Sequence, residues 1–439
     1  MDTATVWIHG LPAEILILIF SCCCRERYTL HASLPLALSH VCRLWRDVAY
    51  SVPSLWASFS LFISSQRRPP DNQGLLFLLR LHLEQSAAHP LSFHVSGVFK
   101  DPHVSPAASV LDLIAALVDH SDRWLNVKIP LKDALAPIYN RLCGRINRLE
   151  SLDLRVHGIP GNLGVDCTYF GEVPHLRHLG IGSSLTFQMP FPSNQLTSLH
   201  LGAASTMDMC RFMTHCPCPQ LTSLTLNPHL AHSAPLQILP PFLHLKTLIL
   251  AIRDGYSRNP VIDVLEHLTT PSLERLEVVG LREIQLPARA FEAFIQRSGC
   301  TLRCLAINFK DFLPFPLLKH NLHILSASLT HLSVLNRGKT SITVDLILRS
   351  LTVNNASTDC LLPNLLCFEV HAPSFRTSVL DFVASRRVRT PGISMLMKLI
   401  LHNSPETETD RARLESLCGQ GLVLLSLPPY KMHKSDLFT

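Results

Sequence analysis

Charge is scarce in this chain. Asp, Glu, Lys and Arg make up 16% of its 439 residues, against 47% hydrophobic, the reverse of the balance that keeps a chain disordered. The net charge is +6 with His neutral. The densest basic run is Arg386, Arg387 and Arg389, read first as a solvated loop or helix end, with a nuclear signal or a patch for an acidic partner as the sharper alternative. No basic stripe with interleaved aromatics is present, which argues against nucleic-acid binding. No uncharged apolar run reaches the ~18 residues that span a bilayer. The apolar stretch from Ile15 to Cys24 lacks a basic flank, since Asp2 is the only charge before Glu14, and no small-residue cleavage site follows it; a secretory reading is set aside. The expectation is a soluble protein, cytoplasmic or nuclear, without membrane contact.

The 14 cysteines include no CxxC pair, and Cys22, Cys23 and Cys24 are consecutive, unlike a disulfide framework. Cys210, Cys216 and Cys218 with His215 match no common zinc spacing, so neither metal nor cofactor is expected. GxSxG, HExxH and the phosphate-cradling GxxxxGK followed by Ser or Thr are all missing, and the 23 His are scattered. Nothing here points to catalysis.

What the chain does have is a repeat. Leu, two residues, Leu, one residue, aliphatic occurs as Leu149-Leu152-Leu154, Leu176-Leu179-Ile181, Leu196-Leu199-Leu201, Leu221-Leu224-Leu226 and Leu245-Leu248-Leu250. It goes on as Leu273-Leu276-Val278, Leu302-Leu305-Ile307, Leu329-Leu332-Val334, Leu365-Phe368-Val370 and Leu396-Leu399-Leu401. The spacing averages about 27 residues, inside the leucine-rich-repeat range. Helical spacing fills several gaps, as in Val261, Val264, Leu265 and Leu268. Each unit therefore reads as a short strand plus a helix or loop, stable only when stacked on its neighbours. Two weaker units precede, with helical runs Leu75–Ser86 and Val110–His120 before strand-like Leu91–Val95 and Trp124–Ile129. At the far end Asp410–Cys418 reads as a helix and Leu422–Leu427 as a last strand. The Asn or Cys of the standard repeat, eight residues after the first Leu, is replaced at every copy, so the repeats are degenerate.

The first sixty residues read as helices. Pro12 suits a first helical turn, and Glu14 favours the positive helix end. A second stretch places Leu38, Val41, Cys42, Trp45, Val48 and Ala49 on one helix face. Residues 66–73, QRRPPDNQ, form the clearest polar break.

The string IHGLPAEILILIF followed by ALSHVCRLWRDVAYSVPSLWASF resembles an F-box, with Leu11, Pro12, Glu14, Ile15, Phe20, Val41, Cys42, Trp45, Pro53, Leu55 and Trp56 on the family pattern. The segment from Cys24 to Leu34 is longer than the family loop. LHLEQSAAHPLSFHV and LVDHSDRWLNVKI are similar to fungal F-box proteins with irregular leucine-rich repeats. The resemblance implies an α/β chain: a small all-helical F-box over 8–60, a linker over 61–74, a degenerate leucine-rich-repeat solenoid over 75–427 with a parallel β-sheet on its concave face, and a tail over 428–439. It implies a non-enzymatic substrate adaptor that binds a Skp-type linker protein, and through it a cullin-RING ligase, while the repeats hold an unknown protein target.

The implied linker-binding set is Leu11, Pro12, Glu14, Ile15, Ile19, Phe20, Val41, Cys42, Trp45, Pro53, Leu55 and Trp56. Within it Leu11, Pro12, Ile15 and Phe20 are expected at the partner surface, because so small a region cannot bury all its aliphatic faces; Val41, Trp45 and Trp56 are expected in the core or at the seam with the first repeats. For the target, strand alternation nominates Asp153, Arg155, His200, Asn227, Glu277, Asn308, Glu369 and His371. Docking and capture are expected to be separable, residues 75–439 keeping the target and losing the linker if the first repeats fold without their helical cap. The rivals are an enzyme, a repeat scaffold whose N-terminal helices serve only as a cap, and an F-box protein acting outside a ligase.

Overall fold

The computed structural model describes residues 11–24, 28–63, 69–97, 107–156, 168–182, 191–205, 212–214, 216–229, 241–252, 260–281, 287–309, 315–336, 342–353, 360–371, 377–402 and 407–426. The chain divides into two compact units, Met1–Leu196 and Thr197–Thr439. The division falls within the run of repeats. The expected tail lies outside the described residues. No helix among the described residues is long and apolar enough to cross a membrane.

The first unit opens with helix α1 (Ala13–Cys23), strand β1 (Tyr28–Thr29), helices α2 (Leu34–Ser39) and α3 (Arg43–Ser51), and strand β2 (Ser58–Phe62). Helix α4 (Pro69–Gln85), β3 (Leu91–Ser96), α5 (Ala108–Asp119), β4 (Trp124–Leu131), α6 (Ala136–Tyr139), β5 (Ser151–Val156) and β6 (His178–Ile181) follow. The strands pair in chain order, all parallel. Two expectations change here. The presumed linker over 61–74 is occupied by the end of β2 and the start of α4, because Pro69 and Pro70 open a helix, the position where a missing N–H costs nothing. The helix predicted through Leu38, Val41 and Trp45 is broken in two, because Cys42 is extended (φ −158°, ψ 176°) and starts α3.

The second unit carries β7 (Ser198–Ser205), β8 (Ser223–His229), β9 (Thr247–Ala251), α7 (Pro260–His267), β10 (Arg275–Leu281), α8 (Ala288–Ser298) and β11 (Cys304–Phe309). It continues with α9 (Phe315–Ile324), β12 (His331–Asn336), α10 (Ile342–Leu351), β13 (Cys367–His371), α11 (Thr377–Arg387), β14 (Lys398–Leu401), α12 (Glu408–Gly419) and β15 (Val423–Ser426). Its strands also pair in order and in parallel. The repeated leucines are in register: Leu199, Leu224, Leu248, Leu276, Leu305, Leu332, Phe368 and Leu399 stand side by side, each at most 1% exposed. Buried this way, each contributes about 2 kcal/mol of hydrophobic free energy. Gly280 (φ +93°) carries the chain through the bulge in β10; a Cβ there would meet the Ile252 carbonyl oxygen at 2.1 Å.

Arginines join successive strand–helix units. Arg123 donates to the carbonyls of Leu83 (3.2 Å) and His89 (3.1 Å) and to Ser86 Oγ (2.6 Å), closing the end of α4. Arg297, at the end of α8, donates to the Leu268 carbonyl (2.7 Å) and to that of Leu265, beyond and within α7. Arg386, 1% exposed, donates to Leu351 at the end of α10 (3.0 Å), to Leu362 (2.8 Å) and to Leu361 (2.6 Å). A guanidinium suits a helix C-terminus, where carbonyls lack intrahelical donors and the dipole is negative. Arg386 is thus neither a solvated helix end nor an accessible nuclear signal, and Arg387 Nη1 is bonded to the Leu396 carbonyl at 3.0 Å.

Candidate functional site

Helix α1 reads AEILILIFSCC and is apolar on every side. A helix of that kind is either wholly buried or shared between two partners. Leu16, Phe20 and Cys24, four residues apart, turn inward at 0%, 0% and 8% exposure. Burial holds the Cys24 thiol near pKa 11. Ile15, Leu18 and Ile19 turn outward at 42%, 61% and 37%, with Pro12, Glu14, Cys22 and Cys23 also exposed. The expected surface residues Pro12 and Ile15 are therefore exposed and Leu11 is half-buried. Phe20 is a correction: its ring sits edge-on to Trp45 at 4.9 Å in the core of this region. Leu18 was missed; it follows Ile15 by three residues, the spacing of one helix face.

The rest of the motif is divided between core and rim. Cys42 is half-buried, and its sulfur accepts from the Trp45 backbone N–H at 3.5 Å, a helix cap. Trp45 and Pro53 are half-buried. Leu55 and Trp56 are core, as expected for Trp56, whose Nε1 donates to the Ala49 carbonyl at 2.8 Å and closes α3. Neither can touch a partner, which corrects the inclusion of Leu55 and Trp56 in the docking set. Val41, expected inside, is 53% exposed, and Leu44 beside it 38%.

This helical region is sealed to the first strands by His82 of α4, 0% exposed. Its Nε2 lies 2.8 Å from Ser33 Oγ, and its Nδ1 lies 3.3 Å from the Trp56 carbonyl. A carbonyl only accepts, so the neutral ring keeps its proton on Nδ1 and takes the Ser33 hydroxyl proton at Nε2. Its ring also contacts Tyr28, Trp56 and Phe59. Burial pushes this histidine down to about pKa 4, with the Trp56 carbonyl pulling weakly the other way. Strand β1, from the segment longer than the family loop, pairs Tyr28 with Phe59 and Thr29 with Ser60. The helices therefore cap the sheet as well as carrying the exposed α1 face.

The nominated target residues fall into two groups. In the first unit Asp153 is held by Lys128 at 3.0 Å and Arg155 at 3.5 Å. In the second, Glu277 pairs with Arg275 at 3.2 Å and Glu369 with His402 at 2.8 Å. Asp153, Arg155, His200, Glu277, Glu369 and His371 are all half-buried. His371 Nδ1 lies 2.6 Å from the Asn336 carbonyl. Asn227 and Asn308 are corrections, at 1% and 4% exposure: both are interior, where an ideal strand would show them. Cys216 and Cys218 of the cysteine-rich segment join by a thiol-to-carbonyl bond of 3.3 Å, and burial raises Cys218 to about pKa 12; Cys210 and His215 lie outside the described residues.

No curated protein matches this chain at a significant level. Residues 8–61 match the family model described as F-box-like, so the exposed face of α1, the Cys42 cap and the Trp56 core together belong to an F-box-like domain at the head of the first unit.

Proposed function

We propose that the protein is the substrate-recognition adaptor of a Skp–cullin–F-box ubiquitin ligase, working in the cytosol or nucleus without catalysis of its own. F-box domains in general bind Skp-type linkers and act as adaptors. The observation that carries the reading is the row Ile15, Leu18 and Ile19, three large aliphatic side chains left exposed inside the matched region. Exposed apolar rows on otherwise well-packed domains mark partner surfaces. The linker contact is assigned to this row with Pro12, and to Val41 and Leu44 at the start of α3. The strand–helix units are read as degenerate leucine-rich repeats of the kind found in fungal F-box proteins, and their open sheet faces as the target surface.

Replacing Leu18 and Ile19 together with Ala tests the docking face. Truncation of interface anchors commonly costs ~2 kcal/mol or more each, roughly thirtyfold in affinity. Co-purified linker and cullin should fall accordingly while the circular dichroism melt stays at the parent value; a folded variant with full recovery would end the assignment. A repeat scaffold outside any ligase is the second reading, supported by β1, through which these helices cap the sheet. Absence of linker and cullin from the parent chain's own purification would favour it.

A further inference from the structure

On the face of the second sheet turned away from the leucines, four residues stand in one row across four strands: Glu277, Ala306, Ser333 and Glu369. Their sequence neighbours Leu276, Leu305, Leu332 and Phe368 point into the core, so alternation puts all four on the open face. The two carboxylates bracket two small residues. Ala306 and Ser333 are only 5% and 7% exposed. Three strand spacings separate the carboxylate-bearing residues, about 14 Å along the sheet. Burial raises the pKa of the Cys304 thiol, Arg275 pulls it back, and Glu277 and Glu369 add to the rise.

Each carboxylate is fixed by one neighbour. Arg275 Nη2 holds Glu277 Oε2 at 3.2 Å, and His402 Nε2 holds Glu369 Oε1 at 2.8 Å. The glutamate side chains keep about a quarter of their surface open, 25% and 26%. Between them the Ser333 hydroxyl is buried without a hydrogen-bond partner among the described residues. A buried hydroxyl left unpaired is unfavourable, and this one lies on the floor of the row, between two anions.

We propose that this trough receives an arginine side chain of the captured protein, so that the targets are proteins presenting a basic segment. The proposal rests on reading the repeat sheet as the target surface. A guanidinium brings five donors in one plane, enough to engage the Ser333 oxygen together with the carboxylate of Glu369 on the next strand. An ammonium is a compact point charge without that planar fork. The site is local: the whole chain is positive, +6, so a cationic peptide gains nothing from the protein's overall field.

The test is fluorescence anisotropy of labelled hexaarginine on the full chain, with hexalysine and hexaglutamate in parallel. Saturable hexaarginine binding is expected, with hexalysine weaker by several-fold. Glu277→Gln with Glu369→Gln should weaken it roughly tenfold or more, since contacts to charged groups are worth ~1.5–3 kcal/mol each. Ser333→Val, which fills the floor and leaves the charges alone, should also weaken it, and it decides the matter if the double variant melts early. Binding no stronger than that of hexaglutamate, equal binding of hexalysine, or parent-level binding in a folded variant would overturn the proposal. Linker recovery is followed in the same samples. Lost peptide binding with linker retained speaks to the trough alone, whereas peptide binding by a chain that recovers no linker speaks against the ligase reading alone.

Discussion

Helices α1 and α8 have the same length, 11 residues, and opposite habits. In α8 the apolar side chains Ala290, Phe291 and Phe294 are buried, Glu292 and Gln296 bond to each other at the surface, and the Ser298 hydroxyl accepts from the Thr270 N–H. Its apolar side chains are taken up by the fold. Helix α1 buries Leu16 and Phe20 and leaves Ile15, Leu18 and Ile19 in solvent. A repeat helix is finished when its neighbours stack on it; α1 keeps an apolar face that no described residue covers. Folding accounts for α8 completely and for α1 by half.

The sharpest way to break this contrast is to place a charge on each side of it. Leu276→Asp, in the leucine row, should cost on the order of 4 kcal/mol or more, because an unpaired carboxylate is left in a closed core. Limited proteolysis should then cut the second unit readily, and a parent-like digestion pattern would mean that Leu276 is not core. Arg386→Gln comes next. It removes charge-assisted bonds to three carbonyls, each worth ~1.5–3 kcal/mol, with some recovered by the amide; a loss of about 3 kcal/mol is expected in urea unfolding.

The His82 seam gives a pH test of similar or smaller size. This ring has an ordinary value of 6.5 and is held at about 4 in the folded chain. The neutral form is thus favoured by folding, so its contribution is complete above pH 6.5. It falls as pH drops from 6.5 to 4, where the unfolded chain binds the extra proton, and is constant below. Across that window the first unit should lose on the order of 3 kcal/mol from this group. His82→Gln should flatten that part of the stability–pH curve; an unchanged slope would place the titration elsewhere. The smallest effect belongs to α1. Leu18→Asp should shift stability by about 0.5 kcal/mol or less, as surface changes do, while abolishing linker recovery.

Much of the repeat architecture was legible because a strand buried on one face repeats its leucines at fixed offsets. All ten copies of the pattern became strands β5–β14. Helices α5, α7 and α12 were also visible, each within a few residues, and α4 apart from its opening at Pro69. Strand β1 was not: two residues carry no periodicity, and β2 (SFSLF) lay inside a segment read as helical. Helices α9 and α10 went unread. In the docking region, spacing could not choose between Phe20 and Leu18, because α1 is apolar all round and only the packing of Trp45 settles which side is inside. Arg386 defeated composition for a related reason: its partners are the main-chain carbonyls of the preceding repeat, which no side-chain pattern reveals. Glu277 and Glu369 were picked out as charges on a mild surface, but the Ser333 floor between them needed the register.

Strand β1 has a practical consequence for anyone wishing to move this domain. An F-box-like segment with its own closed core could be cut out and grafted onto another receptor. Here a graft of residues 8–61 would keep Tyr28 bonded to Leu55 at 2.8 Å and paired with β2, but would lose the His82 ring packed against Tyr28 and Trp56. The remainder would fare worse. Residues 75–439 lack β1, β2 and the first turn of α4, so the stack would begin at a bare β3, with Phe93 stripped of the Phe59 ring that stacks on it at 5.9 Å. Such a fragment can keep its target while losing its linker only if the stack folds from β3 onward. A clean separation of the two tasks calls for point changes on α1, and a transplant calls for a junction no earlier than the end of β3.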